Sequence, residues 1–399
     1  MIVKIKKILS NYPKISYAIK EIIRYIRLLI SSPLLLFPIK NNKIVICNYV
    51  GKGYGDSAKY IVEEIIKQNL NYDIVWLLKK DLVGEVRFPN KIRIAKYKSL
   101  KGLYELATAK IWIDNCRKVF YPIKKKDQYY IQLWHASIAL KRVEKDAEDA
   151  LSESYVIGAK RDSKMTDLFI SNGKFSSDLY RNSFWYNGEI LESGSPRNDI
   201  IFDKSNLLNQ KVSEFFNFSN NTKIALYAPT FRKTEDTKVY NLDYLSCISA
   251  LNKRFGGEWV ILVRLHPNIS DKANEIMYNK KIYNASLYDD MQELLSSSDI
   301  LITDYSSSMF EFTLKKNPCF LYVPDIEEYM RDRNFYFKLN ELPFPIGKDN
   351  SELIDAISNF EEKIYLEKLN KFFDSQDIVD DGFASKRVVE RIKEVIEIK

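Results

Sequence analysis

The sequence predicts an α/β protein built from two doubly wound parallel-sheet domains that face each other across a cleft. Short apolar runs alternate with helical stretches, and this alternation stops in a more polar middle and then starts again. Apolar runs without a polar face are typical of strands that are buried on both sides, as in parallel sheets. At 399 residues the chain also exceeds the size that one hydrophobic core usually serves, so two domains are expected.

The first series of strands and helices predicts a domain over residues 43–190. Its strands are the apolar runs KIVICNYV (43–50), DIVWLLKK (73–80), KIWIDNC (110–116) and YYIQLW (129–134). The helices between them are IVEEIIKQN (61–69) and SLKGLYELATA (99–109), in which apolar residues recur with a helical period.

The second series predicts a domain over residues 191–375. Its strands are KIALYAPTF (223–231), EWVILVRLHP (258–267), DILITDYS (299–306) and PCFLYVP (318–324), and its helices are DDMQELLSSS (289–298) and SSMFEFTLKK (307–316). The amphipathic stretch ASKRVVERIKEVIEI (384–398) predicts a last helix, within 376–399, that closes the structure.

Residues 1–42 differ from the rest, because they mix lysine and arginine with isoleucine and leucine. The longest apolar stretch (28–39) contains Pro33 and Pro38 and is shorter than the ~20 residues that span a bilayer. Basic residues next to apolar ones suit an amphipathic anchor on an anionic membrane surface. A helix packed against the first domain is the alternative. No signal-peptide cleavage site follows, so secretion is not expected.

Composition narrows the possible classes of protein. With 46% hydrophobic and 29% charged residues, the chain has a globular composition and not a disordered or fibrous one. The net charge of +8 suits a phosphate-bearing ligand or an anionic surface and gives no reason to expect nucleic acid. The four cysteines are scattered without a CxxC pair, which favours buried thiols over disulfides or a zinc site.

Polar side chains follow several of the predicted strands. In open parallel sheets ligands bind beyond the carboxyl ends of the strands, and backbone N–H groups at a helix start favour anions. Each of these polar residues taken alone could be only a helix cap or half of a surface ion pair. Their occurrence together at the ends of several strands favours a diphosphate site. The residues concerned are Pro229, Thr230, Arg232, Arg264, His266, Ser306, Ser307, Ser308 and, before another expected helix, Arg197 with Asn198 or Asp199 as its cap.

The two histidines, His135 and His266, both stand where an apolar run ends. Histidine is the side chain best suited to proton transfer near neutral pH. The stretch GKGYGDSAKYI (51–61) has G-x-G-x-G spacing instead of a dinucleotide fingerprint, so we expect a tight loop near a ligand or the other domain. No metal-binding motif is present, so the sequence requires no cofactor and leaves dependence on a divalent metal open.

Six segments resemble, in the same order, motifs of the CDP-glycerol glycerophosphotransferase family, which includes teichoic-acid primases and polymerases and relatives in capsule synthesis. They are QLWHASIALK, GSPRNDI, YAPTFR, RLHP, DILITDYSSSMFEF and DDGFASKRVVERI, and the resemblance covers roughly residues 45–395. It implies a GT-B-like fold with two Rossmann-like domains. It also implies transfer of a polyol phosphate from a CDP-linked donor, CDP-glycerol or CDP-ribitol, with release of CMP.

The resemblance assigns roles to individual residues. His135 resembles the catalytic histidine of the family, and His266 resembles its second essential histidine. Ser137, Lys141 and Asp304 are expected to support the site or to lie on the acceptor side. The family's usual Trp-His-Gly is Trp134-His135-Ala136 here. We expect this difference to affect which acceptor is used more than the chemical step. The positions that match donor contacts are Arg197, Pro229, Thr230, Arg264, Ser306, Ser307 and Glu311, to which the strand-end pattern adds Arg232.

The expected reaction is attack by an acceptor hydroxyl on the β-phosphorus of the donor, at the cytoplasmic face of the cell membrane. A histidine on the wall of the first domain would take the proton, and the second domain would hold the diphosphate. The acceptor would be lipid-linked or a polysaccharide. Two alternatives stay open, a GT-B glycosyltransferase with a nucleotide-sugar donor and a non-catalytic membrane-associated binding module. The polyol, the acceptor, primase or polymerase action and the oligomeric state are also open.

Overall fold

The first domain surrounds a parallel sheet. The computed structural model describes residues 13–118, 123–232, 240–266, 269, 276, 278–332 and 334–397. Strands of the first sheet are β1 (Lys40–Cys47), β2 (Asp73–Leu78), β3 (Ile92–Lys96), β4 (Ala109–Asp114), β5 (Tyr129–Gln132), β6 (Leu168–Ser171) and β7 (Glu189–Glu192). They lie in the order β3-β2-β1-β4-β5-β6-β7, and every pair is parallel. Helices of this part are α1 (Pro13–Ser31), α2 (Asp56–Lys67), α3 (Leu100–Thr108), α4 (Glu153–Met165) and α5 (Lys174–Ser183).

The second domain repeats this architecture. Its strands are β8 (Lys223–Ala228), β9 (Trp259–Val263), β10 (Ile282–Asn284), β11 (Ile300–Thr303), β12 (Cys319–Tyr322) and β13 (Ile346–Gly347), in the parallel order β10-β9-β8-β11-β12-β13. Its helices are α6 (Leu207–Phe216), α7 (Tyr244–Phe255), α8 (Met291–Ser297), α9 (Ser308–Phe312), α10 (Ile326–Asp332), α11 (Asn350–Ser358) and α12 (Glu362–Ser375), and α13 (Ala384–Glu397) follows them.

The predicted fold class is confirmed, because the described residues form two doubly wound parallel sheets. All eight predicted strands are present, although β1 begins at Lys40, three residues before the predicted start. The strands β3, β6, β7, β10 and β13 were not predicted. They contain only two to five residues each.

The last helix, α13, lies against the first domain. Val388, Val389 and Ile392 are fully buried in the core that β1, β2 and α2 also line. Asp199 accepts hydrogen bonds from the backbone N–H groups of Ala384 at 2.9 Å and Ser385 at 2.7 Å. Asp199 therefore caps α13, and the expectation that it caps a helix of its own segment is wrong, because 196–202 is a single 3-10 segment that begins at Pro196.

Helix α1 presents an unusually apolar surface. Leu29 is 73% exposed and Ile22 is 58% exposed. Glu21 holds the helix to the first domain through Arg161, with an N–O distance of 3.0 Å. No described helix combines the length and the apolar character that crossing a bilayer requires. Residues 1–12 of the predicted anchor lie outside the described residues. The other large apolar side chains of α1 that are more than one third exposed are Ile15, Ile19, Ile23, Tyr25, Ile26 and Ile30.

The two domains meet through buried polar contacts at the carboxyl ends of their strands. Lys59 on α2 forms ion pairs with Asp290, at 2.6 Å, and with Glu293 on α8, at 2.9 Å. All three side chains are about one tenth exposed or less. Because buried charges need partners, these contacts fix how the loops of one sheet face those of the other.

Candidate active site

His135 lies just beyond the end of β5, where the chain turns sharply. Trp134 has a φ of 52°, in the left-handed region, and its indole lies against the imidazole of His135 with ring centres 4.3 Å apart. Nδ1 of His135 is 2.9 Å from the backbone carbonyl oxygen of Asn115. Because a carbonyl can only accept, Nδ1 carries the proton, and Nε2 of the neutral ring is the basic nitrogen.

The surroundings of His135 keep its imidazole neutral. Burial lowers its pKa below 6.5, and the hydrogen bond to Asn115 and the negative charge of Asp56 only partly oppose this. The ring of Tyr49 lies on another side, with ring centres 5.8 Å apart. A neutral imidazole with a free Nε2 can accept a proton from a hydroxyl group at neutral pH.

Arg197 bridges the two domains. Its guanidinium donates to Asp56 of the first domain at 2.8 Å and to Glu311 of the second domain. The same carboxylate of Glu311 accepts from Ser137 at 3.1 Å and from Gln292 at 2.8 Å. Burial raises the pKa of Asp56, but the charge of Arg197 together with the hydrogen bonds from Tyr49 and the Ser57 N–H outweighs it and holds the pKa below its usual value. The structure therefore brings Arg197, Glu311 and Ser137 together in one buried network.

Arg232 and Asp304 organise the loop that follows β8. Arg232 lies between Asp304, at 2.8 Å, and Asp325, at 2.6 Å, and it also donates to the carbonyl of Thr230 at 2.8 Å. Asp304 accepts the backbone N–H of Thr230 at 2.9 Å. Pro229 is buried, and Thr230 is partly exposed. In this structure the guanidinium of Arg232 is thus engaged by protein acceptors and ties the loop after β8 to Asp304 and Asp325.

Arg264 follows β9 and holds a neighbouring loop. Its Nη1 donates to the backbone carbonyls of Ala285, at 3.1 Å, and Tyr288. The residue is partly exposed. Burial lowers the pKa of Arg264, and the nearby Asp290 charge opposes this effect. A partly exposed guanidinium that is bonded only to backbone carbonyls through Nη1 can donate strong hydrogen bonds to an anion.

His266 lies at the exposed surface of the same strand end. Its ring is 5.8 Å from the ring of Phe231. The protein atoms that still cover part of the ring lower its pKa, and the positive charges of Lys141 and Lys52 lower it further. Both lysines come from the first domain, so His266 lies within electrostatic range of the opposite wall of the cleft.

Lys141 also reaches across the cleft. Its backbone forms an isolated antiparallel bridge with Phe335, and its ammonium lies over the ring of Tyr329 at 5.2 Å. The loop that carries His135 therefore contacts the second domain directly. This contact places the acceptor-side residue predicted from the sequence close to the donor-side wall.

Ser306 and Ser307 precede α9 at the carboxyl end of β11. The hydroxyl groups of Ser306 and Ser308 are 2.8 Å apart, and Ser306 accepts the N–H of Ser308 at 3.3 Å. All three serines are partly exposed. Helix α9 has only five residues, although the predicted helix extended to 316, because a 3-10 turn takes over at Thr313.

Several residues of this network were not identified in the sequence. Asp56 and Asp380 lie inside GKGYGDSAKYI and DDGFASKRVVERI, so an acidic residue within two positions of a glycine was the available signal. Asp380 accepts from Ser195 at 2.8 Å and from Asn198 at 3.1 Å. No motif or spacing in the sequence marks the remaining residues, which are Asn115, Gln292 and Asp325. Only the tertiary structure brings them to the site.

The described residues contain no group of three or more histidine, cysteine or acidic side chains arranged to hold a metal ion. Whether a divalent ion accompanies the diphosphate of a donor is a separate matter, because such ions are commonly held partly by the substrate's phosphates.

The sequence matches the family model of CDP-glycerol:poly(glycerophosphate) glycerophosphotransferases over residues 29–394. The chain belongs to this family. The predicted family, the GT-B-like fold and the transferase class are thereby confirmed. A nucleotide-sugar glycosyltransferase and a non-catalytic binding module are not favoured.

Relatives within the family are similar along most of this chain. The teichoic acid poly(glycerol phosphate) polymerase of Bacillus spizizenii is 31% identical, over 94% of this chain and 99% of its own length. The polymerase of the same description from Staphylococcus epidermidis is 32% identical, over 88% of this chain and 50% of its own length. The solved structure of a variant of the wall teichoic acid polymerase TagF, soaked with CDPG, superposes with a TM-score of 0.81. The two are 29% identical, and the match covers 96% of this chain and 98% of the TagF chain.

Proposed function

We propose that this glycerophosphotransferase moves glycerol phosphate, or a related polyol phosphate such as ribitol phosphate, from a CDP-linked donor to an acceptor hydroxyl and releases CMP. The acceptor is a lipid-linked or glycan hydroxyl of a teichoic-acid-like or capsular polymer. The observation that carries this proposal is the state of His135, a neutral imidazole whose Nδ1 is bound to Asn115 and whose Nε2 is left to accept a proton.

The reaction needs one group that accepts the proton of the acceptor hydroxyl and a set of hydrogen-bond donors that stabilise the negative charge of the diphosphate. The acceptor oxygen attacks the β-phosphorus and forms a new P–O bond, while its proton passes to Nε2 of His135. The bond between this phosphorus and the bridging oxygen breaks, and its electron pair stays on the oxygen of CMP. Arg264, His266 and the partly exposed serines 306–308 surround the strand ends where the diphosphate would lie.

The buried network around Arg197 has a supporting part in this proposal. Asp56 and Glu311 saturate its guanidinium from opposite domains. A substrate that approached this group would have to displace a carboxylate. We therefore assign Arg197, Glu311 and Ser137 to fixing the width of the cleft, and Arg232 and Asp304 to holding the loop that presents Thr230.

We assign α1 to the membrane surface, at the cytoplasmic face where a lipid-linked acceptor is presented. Eight large apolar side chains of α1 are more than one third exposed, which a helix packed into the domain would not show. The helix sequence also contains Lys14, Lys20, Arg24 and Arg27, which suit an anionic surface.

A donor panel tests the proposed function. The full chain is incubated with CDP-glycerol, CDP-ribitol and a UDP-sugar, together with a lipid-linked acceptor in liposomes, and nucleotide release is measured. We expect CMP release from one or both CDP-polyols and none of UDP from the sugar donor. UDP release from the sugar, with both CDP-polyols left intact, would overturn the proposal.

A further inference from the structure

The loop between β1 and α2, residues 48–55 and here called the β1 loop, is held rigidly from several sides. Asn115 accepts the N–H of Tyr49 at 2.8 Å through its side chain and donates to Asn48 at 2.7 Å. Gly51 accepts from Lys79 N–H at 2.9 Å. Trp76 donates through its indole N–H to Gly53 at 3.0 Å. Because Asn115 also orients His135 through its carbonyl, the β1 loop and the base share one support.

The backbone of the β1 loop is strained. Tyr49, Val50 and Gly51 have φ values of 41°, 59° and 84°, three consecutive residues in the left-handed region. For a β-branched residue such as Val50 this conformation is a genuine outlier, and such outliers concentrate where a loop holds a ligand. A Cβ atom at Gly51 would lie only 3.1 Å from the backbone nitrogen of Lys79. The surrounding structure thus enforces a single shape for this loop.

Lys52 is the exposed residue in the middle of this rigid loop. None of the carboxylates in the part of the chain that the structure describes lies within ion-pair distance of it. Its positive charge lowers the pKa of His266 across the cleft. It also acts on the Cys116 thiol, whose Sγ is 3.8 Å from Nδ1 of His135 and whose pKa burial raises to about 12. Tyr49, three residues earlier in the same loop, has its ring 5.8 Å from the ring of His135, so the β1 loop holds Lys52 on the His135 side of the cleft.

We propose that Lys52 contacts the oxygens of the phosphoryl group that is being transferred, and stabilises their charge as the acceptor attacks. This inference rests on the proposed function. A cation on a fixed loop beside the proton acceptor is suited to stabilise the negative charge that spreads over the transferring phosphoryl group. The acceptor's O–P bond forms, the O–P bond to CMP breaks, the proton goes to His135, and Lys52 takes no part in the proton transfer. Lys141, the other lysine near His266, approaches from the neighbouring loop.

Steady-state kinetics with CDP-glycerol and a soluble acceptor analogue test this role. Lys52→Ala should lower kcat by about 10²-fold, as the loss of one donor to a developing charge typically does, with both KM values nearly unchanged. Lys52→Arg should restore much of the rate, because it keeps the charge. The control is Lys164→Ala, which removes an exposed lysine of α4 and should leave kcat unchanged. An unchanged kcat in Lys52→Ala, or a loss confined to the KM of the acceptor, would overturn the proposal.

A second measurement does not depend on activity. The chain contains only two histidines, so histidine-selective isotope labelling gives two imidazole signals whose titration can be followed by NMR. Removing the charge of Lys52 should raise the pKa of His266, and Lys164→Ala should leave it unchanged. If the pKa of His266 does not move in Lys52→Ala, the placement of Lys52 in the cleft is wrong. If wild-type protein releases no CMP from either CDP-polyol, the proposed function fails, and with it the role in transfer, whereas the titration still tests the placement.

Discussion

The backbone carbonyl of Asn115 accepts a 2.9 Å hydrogen bond from Nδ1 of His135, which leaves Nε2 as the only basic nitrogen of that ring. We therefore expect His135→Ala to lower the rate of transfer by ~10²–10⁴, the usual loss for a positioned base. Donor affinity should stay close to that of the wild type, because Arg264 and the serines 306–308 lie on the other domain. The checks are CMP release and calorimetric titration with CDP-glycerol. A folded variant with near-normal turnover would exclude His135 as the base.

The pH dependence follows from the lowered pKa values of the two histidines. Both lie below 6.5, so kcat/KM should be level above pH 6.5 and should fall as acid protonates the essential imidazole. Stability should change in the same direction. Between the folded pKa and 6.5 the unfolded chain binds more protons than the folded chain, so the free energy of unfolding decreases as the pH drops. A rate profile without an acidic limb in this range would contradict the expectation.

Donor affinity should depend on the second domain. We expect Arg264→Ala, and separately the double change Ser306→Ala/Ser307→Ala, to weaken binding of CDP-glycerol. Charge-assisted hydrogen bonds to phosphate contribute on the order of 1.5–3 kcal/mol each. Arg391→Ala is the matched control, because this arginine pairs with Glu189 on the surface of the first domain. Calorimetric affinities equal to wild type in both donor-side variants would mean that the diphosphate lies elsewhere.

The bridge through Arg197 should dominate the stability of the domain arrangement. Arg197→Ala leaves Asp56 and Glu311 as unpaired buried carboxylates, for which a loss of about 3–5 kcal/mol is typical. Arg93 also pairs with two carboxylates, Asp73 and Glu105, but its side chain is 46% exposed. Arg93→Ala should therefore cost only about 0–1 kcal/mol. Denaturant unfolding of both variants measures the difference, and equal losses would refute the structural role given to Arg197.

The apolar face of α1 should control binding to membranes. We expect Leu29→Asp to reduce co-sedimentation with anionic liposomes, because it places a charge on the face assigned to the lipid. Leu207→Asp is the matched control, since Leu207 on α6 is 71% exposed and Leu29 is 73% exposed. Binding of the wild type should also weaken as salt rises, because the basic residues act only while unscreened. Equal sedimentation of the two variants would favour the alternative in which α1 only packs on the protein.

Much of the fold could be predicted because its physical cause is local. Runs such as those of β1 and β9 are apolar without alternation, and only strands covered on both faces tolerate that pattern. The strands β6, β7 and β13 contain four, four and two residues and were not predicted, and none of them contains more than three consecutive apolar residues. The boundaries of α9 also escaped prediction, because the helix tightens into a 3-10 turn where Lys315 reaches back to the carbonyls of Leu295 and Ser296.

The sequence by itself determined the two-domain α/β class, the family and the histidines, arginines and serines suited to proton transfer or phosphate binding. The order of the motifs and their positions at the ends of strands can both be read along the chain. The tertiary structure decided how those residues pair. Arg197 and Arg232 look alike as single arginines after a strand, but the structure buries both guanidinium groups between carboxylates. The carbonyl of Asn115, in the loop after β4, orients the imidazole of His135, and the side chain of the same residue supports the strained loop that carries Lys52. Such relations arise from contacts between residues distant in sequence, and no local pattern encodes them.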